Sequence, residues 1–324
     1  MPLPDELLEQ PLRTRFAPSP TGDLHLGGVS VALVSWLLAR RTGGKFIVRV
    51  DDLDAVRNVA GATDRILDDL RWLGLEWDEG PGPVESAELG SPYQSKRSDL
   101  YTRSLDELRR VARVYPCDCS RAEIARVAAA PHPGEETVYP GICRRRTEQK
   151  DAKRSSSLRL DLSGVPGLEI RDVLRGPFKQ DMPKQVGDFV LRRADGVYSY
   201  QLATAVDDAT MNIDLVVRGD DLLASTPRQV HIQRLLGLPT PRYLHLPLIL
   251  GPNGQRLAKR NGDTLTVRYF RGLGAAPREV LTLVAHGLKL TDSPAPVTLD
   301  AIVQRLKRTR WEPPLKPFAL GPKR

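Results

Sequence analysis

The spacing of hydrophobic and polar positions changes period several times along this chain, and each change marks an element. Leu12-Arg13-Thr14-Arg15-Phe16-Ala17 is short and half apolar, and Pro18-Ser19-Pro20-Thr21-Gly22 interrupts it, which predicts a strand running into a loop. From Gly28 the apolar residues Val29, Ala32, Leu33, Trp36 and Leu37 recur at intervals of three and four, one face of a helix ending near Thr42-Gly43-Gly44. Lys45-Phe46-Ile47-Val48-Arg49-Val50 then reads as a buried strand. Strand, helix and strand form a βαβ unit, whose parallel strands imply a doubly wound α/β sheet. The first loop and the helix start therefore stand at the sheet's ligand edge.

Helical period returns over Thr63 to Leu73 and Ser98 to Val111, and is lost in the Pro, Gly and charge-rich passage from Pro116 to about Lys184. Regular α/β patterning resumes with Asp188-Phe189-Val190-Leu191-Arg192, a turn at Ala194-Asp195-Gly196, Leu215-Val216-Val217, a helix from Pro227 to Leu236, and Leu246-Pro247-Leu248-Ile249-Leu250. Beyond Gly262 the pattern is helical from Leu265 to Gly272 and from Pro277 to Leu288, before a Pro-rich tail. The expected division is a first half-sheet at 1–113, an inserted subdomain at 114–186, the second half-sheet at 187–262, and a short helical region at 263–324.

A length of 324 residues with 40% hydrophobic content suits about two domains with a real core. Lys and Arg number 48 against 40 Asp and Glu, a net +8 that favours an anionic partner such as nucleic acid. No run approaches the roughly 18 apolar residues of a membrane span, and Met1 to Arg13 carries acids and prolines instead of an apolar signal core. The expectation is a soluble, cytoplasmic chain without a membrane partner. All three cysteines fall between Cys117 and Cys143, a cluster that points to metal or to reduced structural thiols rather than to a disulfide framework. Cys117, Cys119 and Cys143 would give Zn²⁺ three thiolates, with Tyr139 and His132 as rival fourth ligands.

Two short motifs point to phosphate. His25-Leu26-Gly27-Gly28 opens the first helix, where small residues let phosphate oxygens reach backbone N–H groups and a His can donate to them. Arg256-Leu257-Ala258-Lys259-Arg260 follows the last strand as a cationic loop. A nicotinamide dehydrogenase is disfavoured, because no G-x-G-x-x-G follows the first strand.

In that order the two motifs resemble the HIGH and KMSKS signatures of class I aminoacyl-tRNA synthetases. Arg15 to Gly28, Arg49-Val50-Asp51-Asp52-Leu53-Asp54, Tyr200 through Val206-Asp207-Asp208, and Val217-Arg218-Gly219-Asp220-Asp221-Leu222 extend the match. From Arg13 to Gly262 the chain resembles the glutamyl-tRNA synthetase family, with Gly28 for the last His of HIGH, and Arg256 and Ala258 for Lys and Ser of KMSKS. The resemblance implies a Rossmann-like catalytic domain that activates L-glutamate with ATP and Mg²⁺. His25, Gly27 and Gly28 would hold phosphates, Lys259 would neutralise the leaving pyrophosphate, and Asp220 would meet the ribose. Arg15, Arg218 and Tyr200 would read the side-chain carboxylate, while Asp51, standing where the family has Glu, would meet the α-ammonium beside Ala17 and Ser19. Tyr139 is the fourth zinc ligand that the resemblance favours.

Only 65 residues follow Lys259 (324 − 259), too few for the family's helical anticodon-binding region. In this the chain is similar to shortened family members that attach glutamate to queuosine in the anticodon loop of tRNA(Asp), and a monomer is expected. The alternatives are charging of the 3′ end of tRNA(Glu), and a non-catalytic relative that binds an amino acid or RNA. Retention of both His25 and Lys259 argues against the last.

Overall fold

The computed structural model describes residues 3–82, 89–127, 138–147, 155–251 and 265–319. Strand β1 (Arg13–Phe16), helix α1 (Leu26–Thr42) and strand β2 (Lys45–Val48) form the βαβ unit, and β1 and β2 run parallel from Arg13 opposite Lys45 to Phe16 opposite Val48. Helix α1 ends because Gly43 takes a left-handed φ of 70°, and a Cβ on Gly44 would strike the Leu12 carbonyl oxygen at 2.1 Å. Glycine at both positions lets β2 turn back directly beside β1.

Helices α2 (Ala62–Trp72) and α3 (Ser98–Val111) follow, then β3 (Val114–Cys117), α4 (Arg121–Val127), β4 (Ser157–Leu160), β5 (Leu168–Asp172), β6 (Gly176–Gln180) and β7 (Phe189–Arg192). Next come α5 (Tyr200–Thr210), β8 (Leu215–Gly219), α6 (Thr226–Leu235), β9 (Arg242–Leu246) and β10 (Ile249–Leu250). The chain closes with α7 (Val267–Gly272), α8 (Pro277–Gly287), α9 (Leu299–Arg308) and β11 (Phe318–Ala319). The main sheet has the order β2-β1-β8-β9-β5-β6 and is parallel except for the last hairpin.

Parallel strands are stable when both faces are covered, and alternation along each strand fills two separate cores. Phe46, Val48, Leu215, Val217 and Leu244 join α1, α8 and α9 in one core, whereas Ile47, Val216 and Tyr243 join α3, α5 and α6 in the other. That is a doubly wound α/β fold. No described helix is long and apolar enough to cross a membrane.

Several elements differ from the periodicity reading. Strand β7 is not part of the main sheet but pairs with β4 in a small antiparallel sheet, β3-β4-β7. Conversely the β5-β6 hairpin, which lies inside the stretch lacking periodicity, forms an edge of the main sheet. Its outward residues, Glu169 and Arg171, alternate with buried Leu168, Ile170 and Asp172, a pattern too short to stand out among the neighbouring prolines and charges. The apolar run before Gly251 splits, with β9 ending at Leu246 and β10 pairing with β11. Helix α9, read as part of the tail, buries Ile302, Val303 and Leu306 against the first core.

Candidate active site

Register places the functional side chains at the carboxyl ends of the parallel strands. Thr14 pairs with Leu215, so Arg15 on β1 lies beside Val216 on β8, and Arg218 is paired with His245 on β9. Both arginines, each about 3% exposed, point to the α5-α6 face. Arg15 donates to Asp208 on α5 from Nε (3.0 Å) and Nη2 (3.3 Å), and from Nη1 to the Val217 carbonyl (3.1 Å). Arg218 donates to His245 Nε2 (3.0 Å), Gln229 Oε1 (2.7 Å), Thr226 Oγ1 (2.7 Å) and the Tyr200 hydroxyl (3.4 Å). Tyr200 opens α5 after the Ser199 cap and, at 37% exposed, is the one of these partners that reaches the surface.

Beneath the arginines lies a closed ionic network. Arg49, fully buried, donates to Asp51 (2.7 Å) and to Asp208 (2.7 Å), and stands 3.7 Å from Asp207. Asp207 in turn accepts from Arg97 Nε (2.7 Å), Gln94 Nε2 (2.7 Å) and the Tyr101 hydroxyl (2.8 Å). Arg15, Arg49 and Arg97 balance Asp51, Asp207 and Asp208, three charges of each sign. Burial opposes the charge on Arg49, but the three carboxylates outweigh it and hold its pKa above the usual value. Burial pushes the Asp51 carboxyl up to about 6 even though Arg49 is bound to it. The Asp51 N–H donates to the Pro18 carbonyl (3.0 Å), so the Ala17 to Ser19 loop is tied to the same network.

A second cleft, about 160 Å³, lies beside the start of α1 and is lined by His25, Gly27, Gly28, Gly219, Asp221 and Leu246 among others. His25 caps α1, its Nδ1 accepting from the Gly28 N–H (3.1 Å), so the proton of a neutral ring sits on Nε2. A Cβ on Gly27 would come within 2.9 Å of His25 Nδ1, and one on Gly28 within 2.8 Å of the Leu24 side chain, so a larger residue at either position would make those side chains move. Asp220 does not line this cleft; it is paired with Arg175 (2.9 Å), and the neighbouring Asp221 lines it instead. Lys259 and the rest of Arg256 to Arg260 lie outside the described residues. On either side of that stretch, Leu248 and Ile249 line the cleft and the Leu265 carbonyl accepts from the Leu26 N–H (3.0 Å).

None of the three cysteines lines that cleft. The Sγ atoms of Cys117, Cys119 and Cys143 lie within 4.8 Å of one another, and all three are free thiols. The Tyr139 hydroxyl joins them, 3.3 Å from Cys117 Sγ and 3.9 Å from Cys119 Sγ, while accepting from the Cys143 N–H (2.9 Å). Thiolates 2.3 Å from a tetrahedral zinc stand about 3.8 Å apart, and Cys119 and Cys143 are 3.4 Å apart, so the four groups suit that ion. His132 lies outside the described residues.

Sequence reasoning did not assign roles to Arg49, Asp208, His245, Asp172, Thr226 or Gln229. The available signal was polar residues in otherwise apolar runs: Asp207 and Asp208 follow Ala205-Val206, and His245 sits between Leu244 and Leu246, yet all are buried. Such residues are kept inside only where partners meet them.

The family described as tRNA synthetases class I (E and Q), catalytic domain, matches residues 11–302. Among solved structures, a glutamate tRNA ligase from Elizabethkingia meningosepticum, crystallised with its amino acid, is similar at a TM-score of 0.77 and 28% identity, over 94% of this chain and 66% of that one. A Glutamyl-Q tRNA(Asp) synthetase from Symbiobacterium thermophilum is 45% identical over 89% of this chain and 90% of its own length. Another of that name, from Geobacter sulfurreducens, is 43% identical over 97% of this chain and 96% of its own. By these matches the chain belongs to the class I glutamyl and glutaminyl tRNA synthetase family, within the branch of the glutamyl-Q tRNA(Asp) synthetases.

Proposed function

We propose that the protein activates L-glutamate with ATP, using Mg²⁺, and transfers the glutamyl group to queuosine in the anticodon loop of tRNA(Asp). The observation that carries this reading is the match along nearly the whole chain to relatives of that name. The buried Arg15 and Arg218 support it, since planar guanidinium forks read a carboxylate at two points. In the first step an α-carboxylate oxygen of glutamate attacks the α-phosphorus of ATP, forming glutamyl-adenylate and releasing pyrophosphate. No protein nucleophile is needed, so the residues act by position and charge. Arg15, Arg218 and Tyr200 take the side-chain carboxylate, and Asp51 with the Ala17 to Ser19 loop takes the α-ammonium. His25 Nε2–H and the backbone at Gly27 and Gly28 meet phosphate oxygens, and Lys259 neutralises charge on the departing pyrophosphate.

In the second step a hydroxyl of the queuosine cis-diol attacks the adenylate's carbonyl carbon and AMP leaves. That diol resembles the terminal ribose diol of a tRNA, so the same activated glutamate serves without new chemistry. Labelled glutamate should transfer to queuosine-containing tRNA(Asp), not to the unmodified tRNA, and should still transfer after removal of the 3′-terminal adenosine. Label that requires that adenosine, or that reaches tRNA(Glu) instead, would replace this reading with ordinary 3′-end charging.

Ionised Asp51 is the form that pairs with an α-ammonium. With its carboxyl at about 6, kcat/KM for glutamate in ATP–pyrophosphate exchange is expected to fall roughly tenfold per unit below that pH, and Asp51→Asn should lack this limb. An unchanged pH profile in Asp51→Asn would remove Asp51 from amino-acid binding. The stability effect of this group has the opposite sign. Its pKa is raised above the unfolded value near 3.9, so the folded state holds the extra proton between about pH 4 and 6, and its contribution to stability falls as pH rises through that window.

Cys117, Cys119, Cys143 and Tyr139 would hold Zn²⁺, which when bound pins β3 to the segment around Cys143; no step of the reaction passes through it. Metal analysis should find one zinc per chain, and chelation should lower Tm by several degrees. A zinc-free preparation with unchanged Tm would leave these residues as structural thiols.

A further inference from the structure

The two arginines of the amino-acid pocket are held in different ways. Arg15 is paired with the carboxylate of Asp208, whereas among the described residues no carboxylate stands at ion-pair distance from Arg218. Its four partners, His245 Nε2, Gln229 Oε1, Thr226 Oγ1 and the Tyr200 hydroxyl, all belong to residues that are neutral as they stand here. A guanidinium does not give up its proton, and this one is 3% exposed. The fold therefore keeps an unbalanced positive charge in a dry place, a cost that an incoming anion offsets. Gln229 Nε2 and the hydroxyl of Tyr243, whose ring lies 5.1 Å from the Arg218 guanidinium carbon, are buried without hydrogen-bond partners, as expected of a site that a ligand completes.

One carboxylate stands behind Arg218, an imidazole away. The Arg218 Nε–H can only donate, so His245 Nε2 must accept, and the Thr226 hydroxyl is also within 3.2 Å of that nitrogen. The ring proton is thus on Nδ1, where it is donated to Asp172 Oδ2 at 2.6 Å. Asp172 is itself fixed by backbone N–H groups of Leu174 (2.9 Å), Arg175 (2.8 Å) and His245 (3.1 Å). His245 and Asp172 are almost completely buried, and burial pushes the imidazole below its ordinary pKa, consistent with a neutral ring.

We propose that His245, with its tautomer set by Asp172, is a positioning residue for substrate: it aims the Arg218 guanidinium at the side-chain carboxylate and spaces it from Asp172, so that its charge is left for that carboxylate. The proposal rests on the glutamate reading above. A carboxylate in direct contact would fix Arg218 equally well but would neutralise it. The imidazole supplies the geometry without the neutralisation.

The test is steady-state ATP–pyrophosphate exchange with three variants, read as KM for glutamate, KM for ATP and kcat. His245→Asn keeps a donor for Asp172 but cannot reach Arg218, and is expected to raise KM for glutamate about tenfold or more, with kcat and KM for ATP little changed. His245→Gln places an amide oxygen near the lost Nε2 and should recover most of that loss. In Asp172→Asn the amide donates to Nδ1 and drives the ring proton to Nε2, against the Arg218 N–H, so it should resemble His245→Asn. KM does not depend on how much of the enzyme is folded, so loss of folded protein alone leaves it unmoved, and a local packing defect would persist in His245→Gln, which changes the ring's shape as well. Unchanged KM for glutamate in His245→Asn and Asp172→Asn overturns the proposal, as does an equal rise in His245→Gln. A wild-type enzyme without glutamate-dependent exchange would instead remove the glutamate reading itself, and this role with it.

Discussion

Replacing Arg218 with Ala is expected to lower kcat/KM for glutamate in ATP–pyrophosphate exchange by about 10³-fold while leaving KM for ATP within a few-fold of wild type. Arg218 is 3% exposed and its partners are neutral, so its charge is not consumed inside the protein. Truncating one partner of a buried, hydrogen-bonded charge pair costs about 2–5 kcal/mol, and 1.4 kcal/mol is a factor of ten. The loss should be specific to the amino acid, because the cleft beside the start of α1, where ATP is proposed to bind, is lined by other residues. Glutamine, which carries no charge for Arg218 to meet, should lose much less, so the preference for glutamate should collapse as well. A variant within tenfold of wild type, or one equally impaired toward ATP, would take Arg218 out of glutamate recognition.

The second large effect concerns stability. Asp208 is about 1% exposed and is shared by Arg15 at 3.0 Å and Arg49 at 2.7 Å, and both arginines are buried. Burial raises its pKa, but the two arginines outweigh burial and hold it below the ordinary carboxylate value. Asp208→Asn keeps the shape and leaves three buried arginine charges facing two carboxylates. Breaking a buried pair in this way costs about 3–5 kcal/mol, so the urea midpoint should fall sharply with little change in m-value. The wild-type advantage is present above the unfolded pKa near 3.9 and is lost as pH falls through the lower folded value, so the two proteins should converge in strong acid. A difference under about 1 kcal/mol at pH 7 would mean that water or a neighbouring group already compensates the cluster.

Both predictions turn on side chains that pattern reading treats differently. Arg218 was legible because it belongs to a motif of five further residues in order, Val217 to Leu222. Asp208 stood in a matching stretch too, Tyr200 through Asp208, but with no role of its own, and its weight comes from Arg15, 193 positions earlier, and Arg49, 159 positions earlier. Nothing local to α5 distinguishes such an acid from one facing solvent. The same limit explains Asp220 and Asp221, adjacent acids of which one is paired with Arg175 and the other lines the cleft. Which of two neighbouring side chains faces a pocket depends on the turn between β8 and α6, not on composition.

The sequence by itself determined the βαβ start, the two-sided sheet, the glycine-rich opening of α1, the clustering of the cysteines and the kinship to glutamate-activating synthetases. Those features are local: they follow from apolar spacing, from glycine at positions too tight for a Cβ, and from residues close together along the chain. The tertiary structure alone decided that β5 and β6 extend the main sheet while β7 leaves it, and that Arg218 rests on His245 and Asp172. Each of these joins positions far apart in sequence, where strand register and burial choose the partners. A buried charge is stable only with its partners in place, and those partners come into reach only once the chain has folded.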